Sequence, residues 1–286
     1  MRRSVRGLWR KSHAVLFALL ALVVAACQTT AGGEVAGDAA PCEGRPLSEA
    51  VAGAGLCLAV QTRGTETAGP SPTLVVLLHG DLSRGGPADY MIRRAEELGA
   101  QPRIVAVAMI RPGYSDGQGN RSTGSHNNRR DHYTERNNRA VAEAVRALSD
   151  FHGAARTVVV GHSGGAAQVG AVIGRFPDVA DAALLVSCPC DVRRWRSSSG
   201  RSAWSRSESP VEFIETISPS LAVVAVTGSR DDNTAPALGR DYVAELQARG
   251  VDAVFVEAPG QGHGFDGLWP TVRRELDRLI APATTG

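Results

Sequence analysis

Residues 157–175 of the chain read TVVVGHSGGAAQVGAVIGR. Three consecutive valines after Thr157 suit a buried strand, because branched side chains pack well on a pleated surface. The small-residue run Gly164 to Arg175 suits a helix held close against a sheet. Between them stands Gly161-His162-Ser163-Gly164-Gly165, a G-x-S-x-G pattern in a strand–turn–helix context. A serine here must occupy a very sharp turn, and side chains at the flanking positions would collide with the strand and helix. The reward is chemical: the hydroxyl is exposed at the strand end, and the helix N-terminus offers the Gly164 amide to a developing oxyanion. Ser163 is therefore a candidate nucleophile. The pattern alone also suits a plain glycine-rich turn or a phosphate-binding turn, so its partners must decide.

Outward from this unit, apolar runs of strand length recur at Leu56 to Gln61, Thr73 to Leu78, Ile104 to Ile110, Ala182 to Ser187, Leu221 to Thr227 and Val251 to Glu257. Helical patterns separate them: Ala88 to Leu98, Tyr133 to Ser149, Ala237 to Arg249 and Thr271 to Ile280. Continuous short apolar runs indicate strands covered on both faces, hence a parallel sheet. Their alternation with helices predicts an α/β class, doubly wound and mostly parallel. Function in such sheets gathers in loops at the carboxyl ends of strands.

Three further motifs fall at such ends. Leu77-Leu78-His79-Gly80-Asp81 closes one strand, and the Asp81 amide is the candidate second oxyanion donor. Gly228-Ser229-Arg230-Asp231-Asp232-Asn233 follows another. It supplies a carboxylate to orient a base, with Asp231 favoured and Asp232 as the alternative. Gly260-Gln261-Gly262-His263-Gly264-Phe265 follows the last and supplies His263 as general base. The chain order is Ser, Asp, His.

With these motifs, residues from about 56 to 282 resemble the α/β-hydrolase superfamily. The GSRDDN and GHG pieces are similar to prolyl-oligopeptidase-like peptidases and dienelactone-hydrolase-like esterases. The resemblance implies an α/β-hydrolase fold with an eight-stranded sheet and hydrolysis through an acyl-enzyme without a cofactor. The substrate would be a small ester or a peptide. The segment before residue 56 is too short for the β-propeller of the large oligopeptidases, so a carboxylic-ester hydrolase is the first expectation and a small peptidase or amidase the second. A non-catalytic binding lipoprotein on this scaffold is a third, which the intact Ser, Asp and His oppose.

Segments 111–132 and 188–218 are long and polar and are expected to be lids. Arg111 and Tyr114 stand at the expected rim as substrate-binding candidates. Arginines 193, 194, 196, 201 and 206 interleave with Trp195 and Trp204, a composition for an anionic substrate, anionic headgroups or local acidic partners. His126 and His132 have no third ligand at metal spacing, and no metal is expected.

The first 26 residues carry five basic and no acidic side chains ahead of the apolar run Ala14 to Ala26, which ends at Cys27. This order resembles a bacterial lipoprotein signal, implying acylation of Cys27, a cell-envelope location and membrane contact through the lipid. Residues 27–41 read as a flexible tether and 42–286 as the catalytic domain. The formal net charge of +2 belongs to the signal; the remainder stands at about −3, and a nucleic-acid partner is not expected. Cys42, Cys57, Cys188 and Cys190 remain for disulfides, with three pairings open.

Overall fold

Leu74 to Leu78 are all fully buried, and the reason is their place in the middle of the sheet. In a computed structural model, which describes residues 42–281, eight strands form one sheet: β1 (Ala50–Gly53), β2 (Leu56–Arg63), β3 (Thr73–Leu78), β4 (Ile104–Met109), β5 (Arg156–His162), β6 (Ala182–Val186), β7 (Ala222–Gly228) and β8 (Ala253–Ala258). The order is β1-β2-β4-β3-β5-β6-β7-β8. The first two strands are antiparallel and the other six parallel. The doubly wound α/β-hydrolase fold is thereby shown. The signal segment 1–26, Cys27 and the tether 27–41 lie outside the described residues.

Alternate residues of each central strand enter opposite cores, as a pleat of period two requires. Leu74, Val76 and Leu78 share one core with Val141, Val145 and Leu148 of α2 (Glu135–His152) and Val169 and Val172 of α3 (Gly164–Arg175). Val75 and Leu77 share the other with Met91 and Leu98 of α1 (Tyr90–Gly99) and Leu268, Val272 and Leu276 of α6 (Phe265–Ile280). The short α4 (Val192–Ser198) and α5 (Pro236–Ala248) complete the helices.

Four readings change. Strand β1 was not evident: its AVAG sequence is short and small, and it gains order by pairing with β2. Helix α6 begins at Phe265 rather than Thr271, because Pro270 sits in its second turn, where it forfeits one intrahelical bond without ending the helix. The expected lid 111–132 is a stitched segment. Thr123 N–H donates to the Cys57 carbonyl at 2.8 Å and Ser122 N–H to the Tyr114 carbonyl at 3.0 Å. The buried Asp116 accepts from the Gln118 and Asn120 amides. The 188–218 segment is also ordered, by α4, a 3-10 turn at Pro210–Thr216 and a disulfide between Cys188 and Cys190. A second disulfide joins Cys42 to Cys57. Asp131 clips the two segments together by accepting from the Ser205, Arg206 and Ser207 amides.

Candidate active site

Ser163 stands between β5 and α3 at φ 53° and ψ −118°, a conformation costly for a residue with a Cβ. The turn is this sharp only because its neighbours lack side chains. A Cβ on Gly165 would lie 2.5 Å from the His79 carbonyl oxygen, and one on Gly164 would strike the Asp81 carboxylate. Helix α3 can thus close onto the end of β3 and bring the His79–Asp81 loop beside the serine. A Cβ on Gly80 would lie 3.1 Å from that of Ser163.

The three motif residues converge. The Ser163 Oγ lies 3.0 Å from His263 Nε2, and His263 Nδ1 lies 2.9 Å from Asp231 Oδ2. The Asp231 side chain is fully buried, whereas a quarter of the His263 side chain remains exposed. Asp232 instead faces the open cleft. Asp231 also accepts from the Asn233 and Thr234 amides and the Thr234 hydroxyl. Burial pushes its carboxyl up. The hydrogen bond and charge of His263, the Thr234 amide and the neighbouring Ser187 hydroxyl outweigh this and hold it below the usual carboxylate range. An ionised Asp231 fixes Nδ1 as the protonated nitrogen and leaves Nε2 to accept from Ser163. Asn233 Nδ2 lies 3.2 Å from the same Nε2.

Neither the Gly164 nor the Asp81 amide donates a hydrogen bond among the described residues, so both are available to an oxyanion. Arg111 and Tyr114 do not line the cleft as expected of substrate-binding residues. Both are buried, because they hold Asp81 from within. Arg111 donates to Asp81 Oδ1 at 3.0 Å, to the His79 carbonyl at 3.0 Å and to Gln168 Oε1 at 2.5 Å. The Tyr114 hydroxyl donates to the Asp81 carbonyl at 2.9 Å, and the Tyr133 hydroxyl to Asp81 Oδ2 at 2.5 Å. Burial opposes the Arg111 charge, but Asp81 outweighs it and the guanidinium stays protonated. An otherwise unbalanced carboxylate beside the oxyanion position is so neutralised.

Two residues of this site were missed. The Gly80 amide donates to the Tyr90 hydroxyl at 2.5 Å, Tyr90 lies 2.8 Å from His162 Nδ1, and His162 Nε2 donates to the His263 carbonyl at 2.9 Å. This strut ties the three motif loops together. Its sequence signal was a histidine at the variable position before the serine.

The strut suits a neutral imidazole, with the Tyr90 hydroxyl donating to Nδ1. Burial, then the charge of His263, depress His162 to about 3. Burial likewise depresses His132 to about 4 and His79 well below 6.5. All three bind protons more readily when unfolded, so their contribution is fully present well above pH 6.5 and is lost as pH falls from there through the depressed values, toward 3 for His162. Each contributes up to about 1.4 kcal/mol per pH unit. Urea unfolding at pH 7, 6 and 5 is expected to show stability dropping steeply over this interval. Equal stability at the three values would contradict it.

A cleft of about 940 Å³ opens over Ser163 and His263. Its walls include Gly80, Tyr90 and Trp195, and its rim carries arginines from both long segments.

Comparison with known proteins gives a family and a fold. Residues 97–278 match the prolyl oligopeptidase family, a span that contains Ser163, Asp231 and His263 and excludes the His79–Asp81 loop. No curated protein sequence matches the chain. Est1E from Butyrivibrio proteoclasticus, solved with ferulic acid bound, superposes with a TM-score of 0.63 at 14% identity, over 82% of this chain and 99% of that one. The esterase Pf2001 from Pyrococcus furiosus gives 0.59 at 17% identity, over 82% and 95%. A puromycin-hydrolysing peptidase from Mycobacterium tuberculosis gives 0.56 at 17% identity, over 78% of this chain and 37% of that one. These structural likenesses speak for the fold.

Proposed function

The chain belongs to the prolyl oligopeptidase family, and from that premise we propose that it is a serine hydrolase that cleaves carboxylic esters through an acyl-enzyme. The observation that carries the proposal is the hydrogen-bonded row from Ser163 Oγ through His263 to Asp231. In the first step Oγ attacks the ester carbonyl carbon while Nε2 takes its proton, and the Gly164 and Asp81 amides hold the oxyanion. Collapse breaks the bond to the alcohol oxygen, which receives that proton from Nε2. Water then attacks the acyl-enzyme by the same route, releasing the acid and restoring Ser163. Asp231 stays ionised and balances the imidazolium. One lost oxyanion donor is worth on the order of 3 kcal/mol of barrier.

Esters are favoured over peptides by the charge of the cleft. Five arginines line it, and they oppose entry of a peptide's ammonium terminus. The family match favours the second reading, a small peptidase or amidase. Rates on p-nitrophenyl butyrate and on aminoacyl p-nitroanilides decide between them. Ester turnover with anilide cleavage lower by at least a thousandfold is expected; comparable rates on both would establish the peptidase reading instead.

We further propose that the protein acts at the cell envelope, attached through lipid on Cys27. The basic n-region, the apolar run and the small residues before Cys27 support this.

A further inference from the structure

The arginines of the 188–218 segment divide into two groups. Arg193, Arg194 and Arg206 are not among the residues lining the cleft, and each has a carboxylate partner: Glu212 at 2.8 Å, Asp241 at 2.5 Å and Asp131 at 3.6 Å. Arg196 and Arg201 line the cleft. Among the described residues neither has a carboxylate within 4.0 Å, and the same holds for Arg84, Arg129 and Arg130, which line the same cleft. Against these five stand two cleft aspartates. One of them, Asp81, is already paired with the buried Arg111. The surplus positive charge therefore faces the same space as the nucleophile.

The unpaired guanidiniums are held in place. Arg196 lies 4.8 Å from the Trp204 ring centre and donates to the Ser202 carbonyl at 2.9 Å. Arg201 lies 5.0 Å from the Trp195 ring centre. The two indoles pack edge to face, and the Trp195 indole N–H donates to the Asn233 carbonyl at 2.8 Å. Arg201 also reaches the Asn233 side-chain oxygen at 3.4 Å, while the amide nitrogen of Asn233 is 3.2 Å from His263 Nε2. A single side chain thus separates this guanidinium from the nitrogen that moves the proton. Burial, and then repulsion from Arg201, lower the affinity of Arg196 for its proton by more than the charge of Asp131 restores. A bound anion relieves this, and the planar fork of arginine suits two oxygens at once.

We propose that Arg196 and Arg201, with Arg129 and Arg130 lining the same cleft, form an anion-binding subsite, and that the substrate is an ester bearing a second, ionised carboxylate. The proposal rests on the hydrolase reading above and names the substrate class of that site.

Two ester pairs test it, each differing only in charge. On the alcohol side these are 4-carboxyphenyl and 4-carbamoylphenyl butyrate; on the acid side, the p-nitrophenyl esters of 4-carboxybenzoate and 4-carbamoylbenzoate. After correction for spontaneous hydrolysis, kcat/KM is expected to favour the anion by about tenfold or more in at least one pair. Raising the salt from 20 to 500 mM, on the order of a threefold or greater cut in screening length, should shrink that ratio, and R196Q/R201Q should reduce it about tenfold. Separately, calorimetry with isophthalate on the Ser163→Ala protein reads the subsite without chemistry. Binding is expected to weaken with salt and to disappear in the added R196Q/R201Q background. Isophthalate binding without turnover of any ester would sink the hydrolase reading and leave the subsite standing. Ester turnover without charge preference in either pair, or failure of isophthalate to bind, would overturn the subsite.

Discussion

Ser163→Ala is expected to lower kcat on any ester the protein turns over by a factor on the order of 10⁵ to 10⁶, while thermal stability stays within a few degrees of wild type. The loss is large because, among the described residues, no second hydroxyl is placed on His263 Nε2 to take over: the Thr234 hydroxyl, at 3.1 Å, sits on Nδ1, the side facing Asp231. The fold is spared because the elbow is set by the glycines around it, and alanine at φ 53° is strained to a similar extent as serine. Steady-state rates and a thermal melt check both halves. A variant with a tenth or more of the wild-type rate would remove Ser163 from the reaction.

The second large effect is on stability. Arg111→Met is expected to cost about 3–5 kcal/mol, because it leaves the Asp81 carboxylate, only 12% exposed, without its counter-ion. The His79 carbonyl and the Gln168 side-chain oxygen lose their donor at the same time. Activity should fall as well, since the Asp81 loop then loses the Arg111 bonds to the Asp81 carboxylate and the His79 carbonyl and keeps those from Tyr114 and Tyr133. Asp81→Asn on the Arg111→Met background removes the stranded charge and should recover part of the loss, and urea unfolding of the four proteins in the cycle measures the coupling. Additive effects of the two substitutions would show that the pair is not coupled and that Arg111 supports the loop in some other way.

These two residues mark where the sequence was legible and where it was not. The sheet could be read because each central strand is a nearly continuous apolar run, and the nucleophile because glycine on both sides of Ser163 has a steric cause. Asp231 could not be separated from Asp232 by pattern. That choice depends on which carboxylate turns inward to the Thr234 amide and His263. Arg111 read as a rim residue because a charge beside a loop is ordinarily solvated. Its burial depends on partners 21 to 57 residues away, which periodicity does not reveal. The 111–132 segment read as a lid for the same reason, since its ties reach back to Cys57 on β2. The division of the arginines into paired and unpaired groups is likewise a property of facing, and a helix as short as α4 gives no dependable face from sequence.

The buried ring of His79, Arg111, Asp81, Tyr114 and Tyr133 and the open row of Ser163 and His263 meet at Gly164. In the proposed mechanism the first fixes the backbone that receives the oxyanion, and the second carries the proton. Trp195, Arg196, Arg201 and Trp204 line the same cleft, so the proposed binding and chemistry come from different loops on one scaffold.

Labelling by a fluorophosphonate, followed by mass spectrometry of the modified peptide, tests the central claim most directly. The account predicts one adduct, on Ser163, formed in the folded wild-type protein and absent after denaturation and in the Ser163→Ala variant. An adduct on another residue, or a folded protein that resists the reagent altogether, would contradict it.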